Sequence, residues 1–274
     1  MKMMKISPPY NYYSKCLNFN EQNISQIRKR LINQEMTSYL IDGTSNYLSP
    51  YSLLTSTSTN DVYNFGEMLK QDDKEMFHKA MEDEINKHTA SKNWKLVEIK
   101  DVPQNTKIIQ SIWTFKRKRF PDGRVQKHRA RLCAHGGQQQ WGINYWETYA
   151  PVVNWMSIRT LLVISLKQNL HTRCIDFVLS FPQAPLDKEV YMYQPPGCSK
   201  DKEGKKYVLK LINSLYGLKQ AEHNWFEKLE KSLKKRKFIP SNIDPCVFFR
   251  SDIVVIIYVD DCILFSKEEN MKTN

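Results

Sequence analysis

Residues 253–265 read Ile253-Val254-Val255-Ile256-Ile257-Tyr258-Val259-Asp260-Asp261-Cys262-Ile263-Leu264-Phe265. Two β-branched apolar runs flank a single Asp-Asp pair. Apolar runs this short and this rich in Val and Ile read as buried strands, not as a helix. With almost no spacer between them they predict a tight hairpin with both carboxylates at its turn. Asp is common at solvated hairpin tips, and the stretch alone permits that reading. Yet hairpin tips favour Asn-Gly or Asp-Gly, and no Gly follows here. Two carboxylates a few Å apart repel by about 4 kcal/mol at an effective dielectric of about 20. A divalent cation is the natural partner that removes that cost.

A third acid stands alone in a similar setting. Cys174-Ile175-Asp176-Phe177-Val178 reads as an apolar strand with one carboxylate in it. An isolated buried Asp is costly. It calls for a partner, a metal, or a strand end open to solvent; a plain strand-terminal or capping Asp also accounts for it. Further upstream, residues 112–133 predict a long hairpin. Ile112-Trp113-Thr114-Phe115 leads into Lys116-Arg117-Lys118-Arg119, and Pro121-Asp122-Gly123 makes the turn. The period-2 rule places Lys127, Arg129 and Arg131 on one face of the return strand. A ribbon this basic is not expected to be a core element. It is either a solvated charged hairpin or a phosphate-contacting one, since Arg grips phosphate bidentately and Lys acts as a point charge.

Three helices are expected beyond residue 62. Asp73–His88 carries Phe77, Ala80, Met81 and Ile85 near helical spacing, with Asp72 or Asp73 as cap and its charged residues on the other faces. Ser157–Lys167 sets Ile158, Leu161, Leu162 and Ser165 on one side, with Ser157 as cap. The third has Trp225, Leu229 and Leu233 as its core stripe. It ends in Lys234-Lys235-Arg236-Lys237, a solvated run that suits the helix dipole. Tyr207–Leu211 reads as a short strand, and Trp141–Val153 as loop and packing.

Composition bounds the rest. The 274 residues allow one large domain or two small ones, and 41% hydrophobic residues suffice for a core. A net charge of +12 points to a polyanion, nucleic acid or a membrane surface, unless the protein is merely soluble and basic. Six cysteines, at 16, 133, 174, 198, 246 and 262, form no Cys-x-x-Cys pair, and the six histidines are dispersed. That gives no zinc site or disulfide framework and fits a reducing, intracellular compartment. No apolar run is long enough to span a bilayer, and the N-terminus lacks the apolar segment of a signal peptide. Residues 1–62 are Asn-, Ser- and Tyr-rich with the run Thr55-Ser56-Thr57-Ser58-Thr59, and read as a poorly ordered spacer with a short basic helix near Gln26–Met36.

Tyr258-Val259-Asp260-Asp261 resembles the catalytic hairpin of reverse transcriptases. From about Tyr63 to Ser266 the chain resembles the polymerase region of a copia-type LTR retrotransposon polyprotein. Its landmarks come in order. Ala130-Arg131-Leu132 is similar to part of the family's fingers hairpin. Asp176-Phe177-Val178-Leu179-Ser180-Phe181-Pro182-Gln183-Ala184 resembles its first catalytic block. Asn213-Ser214-Leu215-Tyr216-Gly217-Leu218-Lys219-Gln220-Ala221 resembles the block beside the templating base.

The resemblance implies an α+β fold, a palm with an antiparallel sheet and packed helices plus a basic fingers hairpin. It implies an RNA-directed DNA polymerase working on an RNA or DNA template with a primer, using deoxynucleoside triphosphates and Mg²⁺ or Mn²⁺, with no membrane partner. Its site is intracellular, in a cytoplasmic particle or the nucleus. By the same resemblance Asp176, Asp260 and Asp261 are catalytic and, with the Phe177 carbonyl, metal-binding. Lys118 and Arg131 are candidates for the triphosphate. Phe181 takes the sugar-gate position, where a bulky ring rejects ribonucleotides, or is simply core; Gly217 and Gln220 complete the nucleotide site. The chain departs from the family at Glu222-His223, where Pro-Arg is usual, at Cys198, and at His135-Gly136-Gly137. It stops at Asn274, so residues 63–274 are expected to be fingers and palm, with thumb and RNase H supplied by a partner chain if at all. The rival readings are a catalytically inactive nucleic-acid-binding remnant and a fragment that does not fold.

Overall fold

The computed structural model describes residues 61–120, 122–198, 201, 205–251 and 253–267. The spacer reading of the first 60 residues, Pro121 of the expected turn and the last seven residues lie outside them. In chain order the helices are α1 (Phe65–Met68), α2 (Lys74–Ala90), α3 (Trp155–Lys167) and α4 (Ala221–Lys235). The first strands are β1 (Val62–Tyr63), β2 (Trp94–Glu98), β3 (Ile108–Ile109), β4 (Ser111–Arg119), β5 (Val125–Ala134) and β6 (His171–Asp176). Then come β7 (Pro185–Tyr193), β8 (Tyr207–Asn213), β9 (Ile239–Pro240), β10 (Val247–Arg250), β11 (Ile253–Tyr258) and β12 (Asp261–Ser266). Among the described residues the result is a mixed fold of three sheets and few helices.

β11 and β12 form the expected hairpin, in register from Val254↔Phe265 to Tyr258↔Asp261. They sit inside an antiparallel five-stranded sheet of order β6-β12-β11-β10-β9. Ile256 and Ile257 point to opposite faces, yet each is 1% exposed. The sheet is therefore covered on both sides, which is why its central run is continuously apolar and does not alternate. A four-stranded sheet, β2-β8-β7-β3, is antiparallel except for its parallel β3–β7 edge.

The third sheet, β1-β4-β5, corrects one expectation. The basic hairpin is a core element on one face. Trp113, Phe115, Ala130, Leu132 and Ala134 are buried, because strict alternation sends every second side chain inward whatever its neighbours carry. The four-residue basic run is split by the same rule. Arg117 and Arg119 fall on the inner face and are neutralised: Arg117 by Asp73 and Asp61, Arg119 by Asp61. Lys116 and Lys118 fall on the outer face, opposite Arg129 and Lys127, with Thr114 opposite Arg131. Like charges set directly opposite across strands are destabilising, so this outer ladder carries mutual repulsion.

Helix ends bring two further corrections. Asp73 stands at the N-cap of α2 but makes no cap bond; its carboxylate goes to Arg117 and His128. Ser157 does not cap α3. Asn154 does, accepting from the Met156 amide at 2.8 Å, while the Ser157 hydroxyl donates to Asp244 at 2.6 Å. On α2, Phe77 and Met81 are buried as expected, but so are Glu84 and His88. The His88 ring stacks on Trp94 and meets the Asn93 amide through Nδ1. α4 buries Trp225 and Leu229 and packs Leu233 partly against the core.

Candidate active site

The hairpin turn consists of Val259 and Asp260 between the paired residues Tyr258 and Asp261. Val259 has φ 55, the sign that a type II′ turn requires and that Gly normally supplies. A β-branched residue there costs about 1–3 kcal/mol, so the surrounding structure must hold it. The Val259 carbonyl accepts from the Trp225 indole at 2.8 Å.

β6 is the neighbour of β12, and the register places Asp176 directly opposite Asp261. The Phe177 amide, next along, donates to the Asp260 carbonyl at 3.4 Å. An acid distant in sequence thus meets the Asp260–Asp261 pair on adjacent backbones at one sheet end. Asp176 is the last residue of its strand and is exposed, which answers how a lone acid is tolerated in an apolar strand. Partial burial first, then the charges of Asp260 and Asp176, push the Asp261 carboxyl above the usual carboxylate range. The three side chains are not yet converged: among the described residues no group of three His, Cys, Asp or Glu forms a ready metal cage. The donors themselves, hard carboxylate oxygens with unrelieved mutual repulsion, are of the type that Mg²⁺ and Mn²⁺ take.

One residue of the hairpin's outer face feels one of these acids. Partial burial, then Arg129, Lys116 and Lys127, push the Lys118 ammonium below the usual lysine range, and Asp176 opposes them. Lys118 therefore lies within electrostatic reach of Asp176. The Arg131 guanidinium lies over the Tyr216 ring, 4.4 Å from its centroid. Tyr216 in turn packs on Phe181 at 4.8 Å, and its hydroxyl is 3.4 Å from the Ser180 hydroxyl. Phe181 is 8% exposed, so the face of this column open to a ligand belongs chiefly to Tyr216 and Arg131.

Gly217 makes the column possible. It has φ 88, and a Cβ there would stand 2.3 Å from the Ala134 carbonyl oxygen. The Ala134 amide donates to the Tyr216 carbonyl at 2.8 Å. The base of the basic hairpin and the segment before α4 thus touch backbone to backbone. Gln220 is not open to a ligand. It is 1% exposed, its amide donating to the Asn144 carbonyl at 2.9 Å and its oxygen accepting from Gln139 at 2.9 Å.

The loop read as packing is only partly so. Asn144 and Val153 are buried, but Trp141, Trp146 and Tyr149 are exposed. Lys188 lies over Trp146 and Lys219 over Tyr145. Tyr216 and this loop are what sequence reasoning missed. Tyr216 lies within Asn213–Ala221, but only the crossing at Gly217 shows what it faces. The loop's interleaving of aromatics with tertiary lysines has no signature in the chain order.

The family model described as reverse transcriptase (RNA-dependent DNA polymerase) matches residues 91–274. The Retrovirus-related Pol polyprotein from transposon TNT 1-94 of Nicotiana tabacum is 34% identical over 211 residues, which are 75% of this chain and 16% of that polyprotein. That from transposon RE2 of Arabidopsis thaliana is 34% identical over 227 residues, 81% of this chain and 15% of the polyprotein. The Transposon Ty1-ER2 Gag-Pol polyprotein of Saccharomyces cerevisiae is 30% identical over 207 residues, 72% of this chain and 11% of its own length. The chain therefore spans about a sixth of the plant relatives it matches. The ordered acids, the paired hairpins and these matches together place the chain in the reverse transcriptase family, as the reverse transcriptase region of a copia-type Pol polyprotein.

Proposed function

We propose that this chain performs RNA-directed DNA synthesis, adding deoxynucleotides to a primer 3′-hydroxyl on an RNA or DNA template. The observation that carries the reading is the register Asp176↔Asp261 with Asp260 beside it at the turn. Asp176, Asp260 and Asp261, with the Phe177 carbonyl as a further oxygen, would hold Mg²⁺ or Mn²⁺. When bound, such ions activate the attacking hydroxyl and neutralise the triphosphate and its leaving group. The exposed Asp176 and Asp261 side chains are free to turn toward a cation, which relieves their repulsion.

The chain's own residues supply position and charge. Lys118 and Arg131 receive the triphosphate, Lys118 from the ladder face and Arg131 from above Tyr216. Tyr216, backed by Phe181, floors the sugar; the bulk of that pair disfavours a 2′-hydroxyl. Gly217 keeps the floor against the hairpin, and Gln220 acts one step back, anchoring the start of α4 to the loop at Asn144. The exposed aromatics and neighbouring lysines of that loop suit unpaired template bases, which stack on any π-face. Among the described residues no helix is long and apolar enough to cross a membrane.

Primer extension with the purified chain, with and without Mg²⁺, tests the reading. Metal-dependent extension that Asp261→Asn abolishes is the expected result. A folded chain that binds primer–template, extends nothing, and binds Mn²⁺ no better than Asp260→Asn would refute it and leave a nucleic-acid-binding remnant.

A further inference from the structure

We infer that Trp225 is a positioning residue of the catalytic turn: its indole N–H sets where Asp260 and Asp261 stand relative to Asp176. The inference rests on the reading of those acids given above. Three observations carry it. First, Val259 is β-branched at φ 55, a conformation that such a residue leaves unless held. Second, the indole has a single donor, and it is spent at 2.8 Å on the carbonyl of that same residue. Third, the indole ring also meets Phe177, the residue after Asp176, edge to face at 5.1 Å. Phe177 closes the loop by donating its amide to the Asp260 carbonyl.

One side chain on a rigid helix therefore touches both acid-bearing segments. Trp225 is 3% exposed between the buried Ala221 and Leu229, and the helix begins where Gln220 is tied to Asn144. A merely space-filling tryptophan also finds some acceptor when buried. What separates the two roles is coupling to the strain. If the indole holds a reluctant turn, a residue at 259 that prefers positive φ makes the indole dispensable. Asn is such a residue. If the indole only fills space, changes at 225 and 259 act independently.

The test is a double-mutant cycle of Trp225→Phe and Val259→Asn, read by hydrogen–deuterium exchange. Trp225→Phe should speed exchange of the amides at 258–262 and at Phe177 at least tenfold, and leave the β2–β8 ladder unchanged. The double variant should return to within threefold of the parent. Mn²⁺ affinity by calorimetry should follow, weakened about tenfold in Trp225→Phe and largely recovered in the double variant. Unchanged exchange in Trp225→Phe, or additive effects in the cycle, would overturn the inference. If the parent itself binds no Mn²⁺, the reading of the acids fails, while the exchange cycle still decides the role of Trp225. Should Trp225→Phe not fold, benzothienylalanine placed at 225 keeps the shape, lacks the N–H and carries the same expectation.

Discussion

Replacing Asp73 with Asn should destabilise the protein near neutral pH and make almost no difference near pH 2. Asp73 binds Arg117 through both carboxylate oxygens, at 2.9 and 2.7 Å, and His128 at 2.6 Å. The Arg117 guanidinium chiefly, and His128 after it, hold its carboxyl down from 3.8 to about 2 against the opposing effect of burial. At 1.36 kcal/mol per tenfold change in proton affinity, that drop is worth about 2 kcal/mol. The side chain is 28% exposed, so solvent screening trims the figure to about 1–2 kcal/mol. The folded value lies below the unfolded one. The stabilisation is therefore complete above about pH 4 and disappears as pH falls through about 2. Asn imitates the neutral acid at every pH, so the stability gap between parent and variant should close across that window. Urea unfolding of both proteins at intervals from pH 7 to pH 2 measures the gap directly. A gap that stays constant, or widens below pH 4, would refute the ion-pair account. Arg117 lies on the inner face, so the salt dependence of nucleic-acid binding should not change in this variant.

The two faces of the hairpin give a companion test. Lys116→Gln or Arg129→Gln should lower the log–log salt slope of duplex binding by about 0.9 each, whereas Arg119→Gln should lower the melting temperature and leave the slope alone. Gly217→Ala should cost at least about 2 kcal/mol, from positive φ and backbone overlap, and lower the melting temperature by about 4–8 °C; an unchanged melting curve would mean the hairpin and the α4 segment do not touch as described. Trp146→Ala should weaken single-stranded DNA binding by about 1 kcal/mol, roughly fivefold, with no loss of stability. Equal affinity by fluorescence anisotropy would make the aromatic loop a bystander.

Much of the site was legible because its signals are local. The Asp-Asp pair between two β-branched runs specified a hairpin, but its turn falls one residue early, at Val259 and Asp260, with Asp261 already paired in β12. Asp176 announced itself as a lone acid in an apolar strand, and Trp225 and Leu229 showed their stripe at helical spacing. What stayed illegible depends on partners far away in the chain. Asp73 reads as a cap because capping is local, yet Arg117, 44 residues on, takes its carboxylate. Ser157 loses the capping role to Asn154 because Asp244 claims its hydroxyl.

By itself the sequence supplied a reading of the elements and of a candidate donor set: which runs are strands, that a tight turn separates the last two, and which three acids stand in apolar surroundings. Periodicity, turn chemistry and charge are written within a few residues of each other, so they can be read without a fold. The tertiary structure alone decided that Asp176 stands opposite Asp261, that Arg117 and Arg119 face inward while Lys116 and Lys118 face out, and that Tyr216 lies between Arg131 and Phe181. Those outcomes follow from strand register and from one close backbone crossing at Gly217. Register is a cooperative choice of the whole sheet: in the basic hairpin a one-residue slip would turn Trp113 and Phe115 outward and the lysines inward.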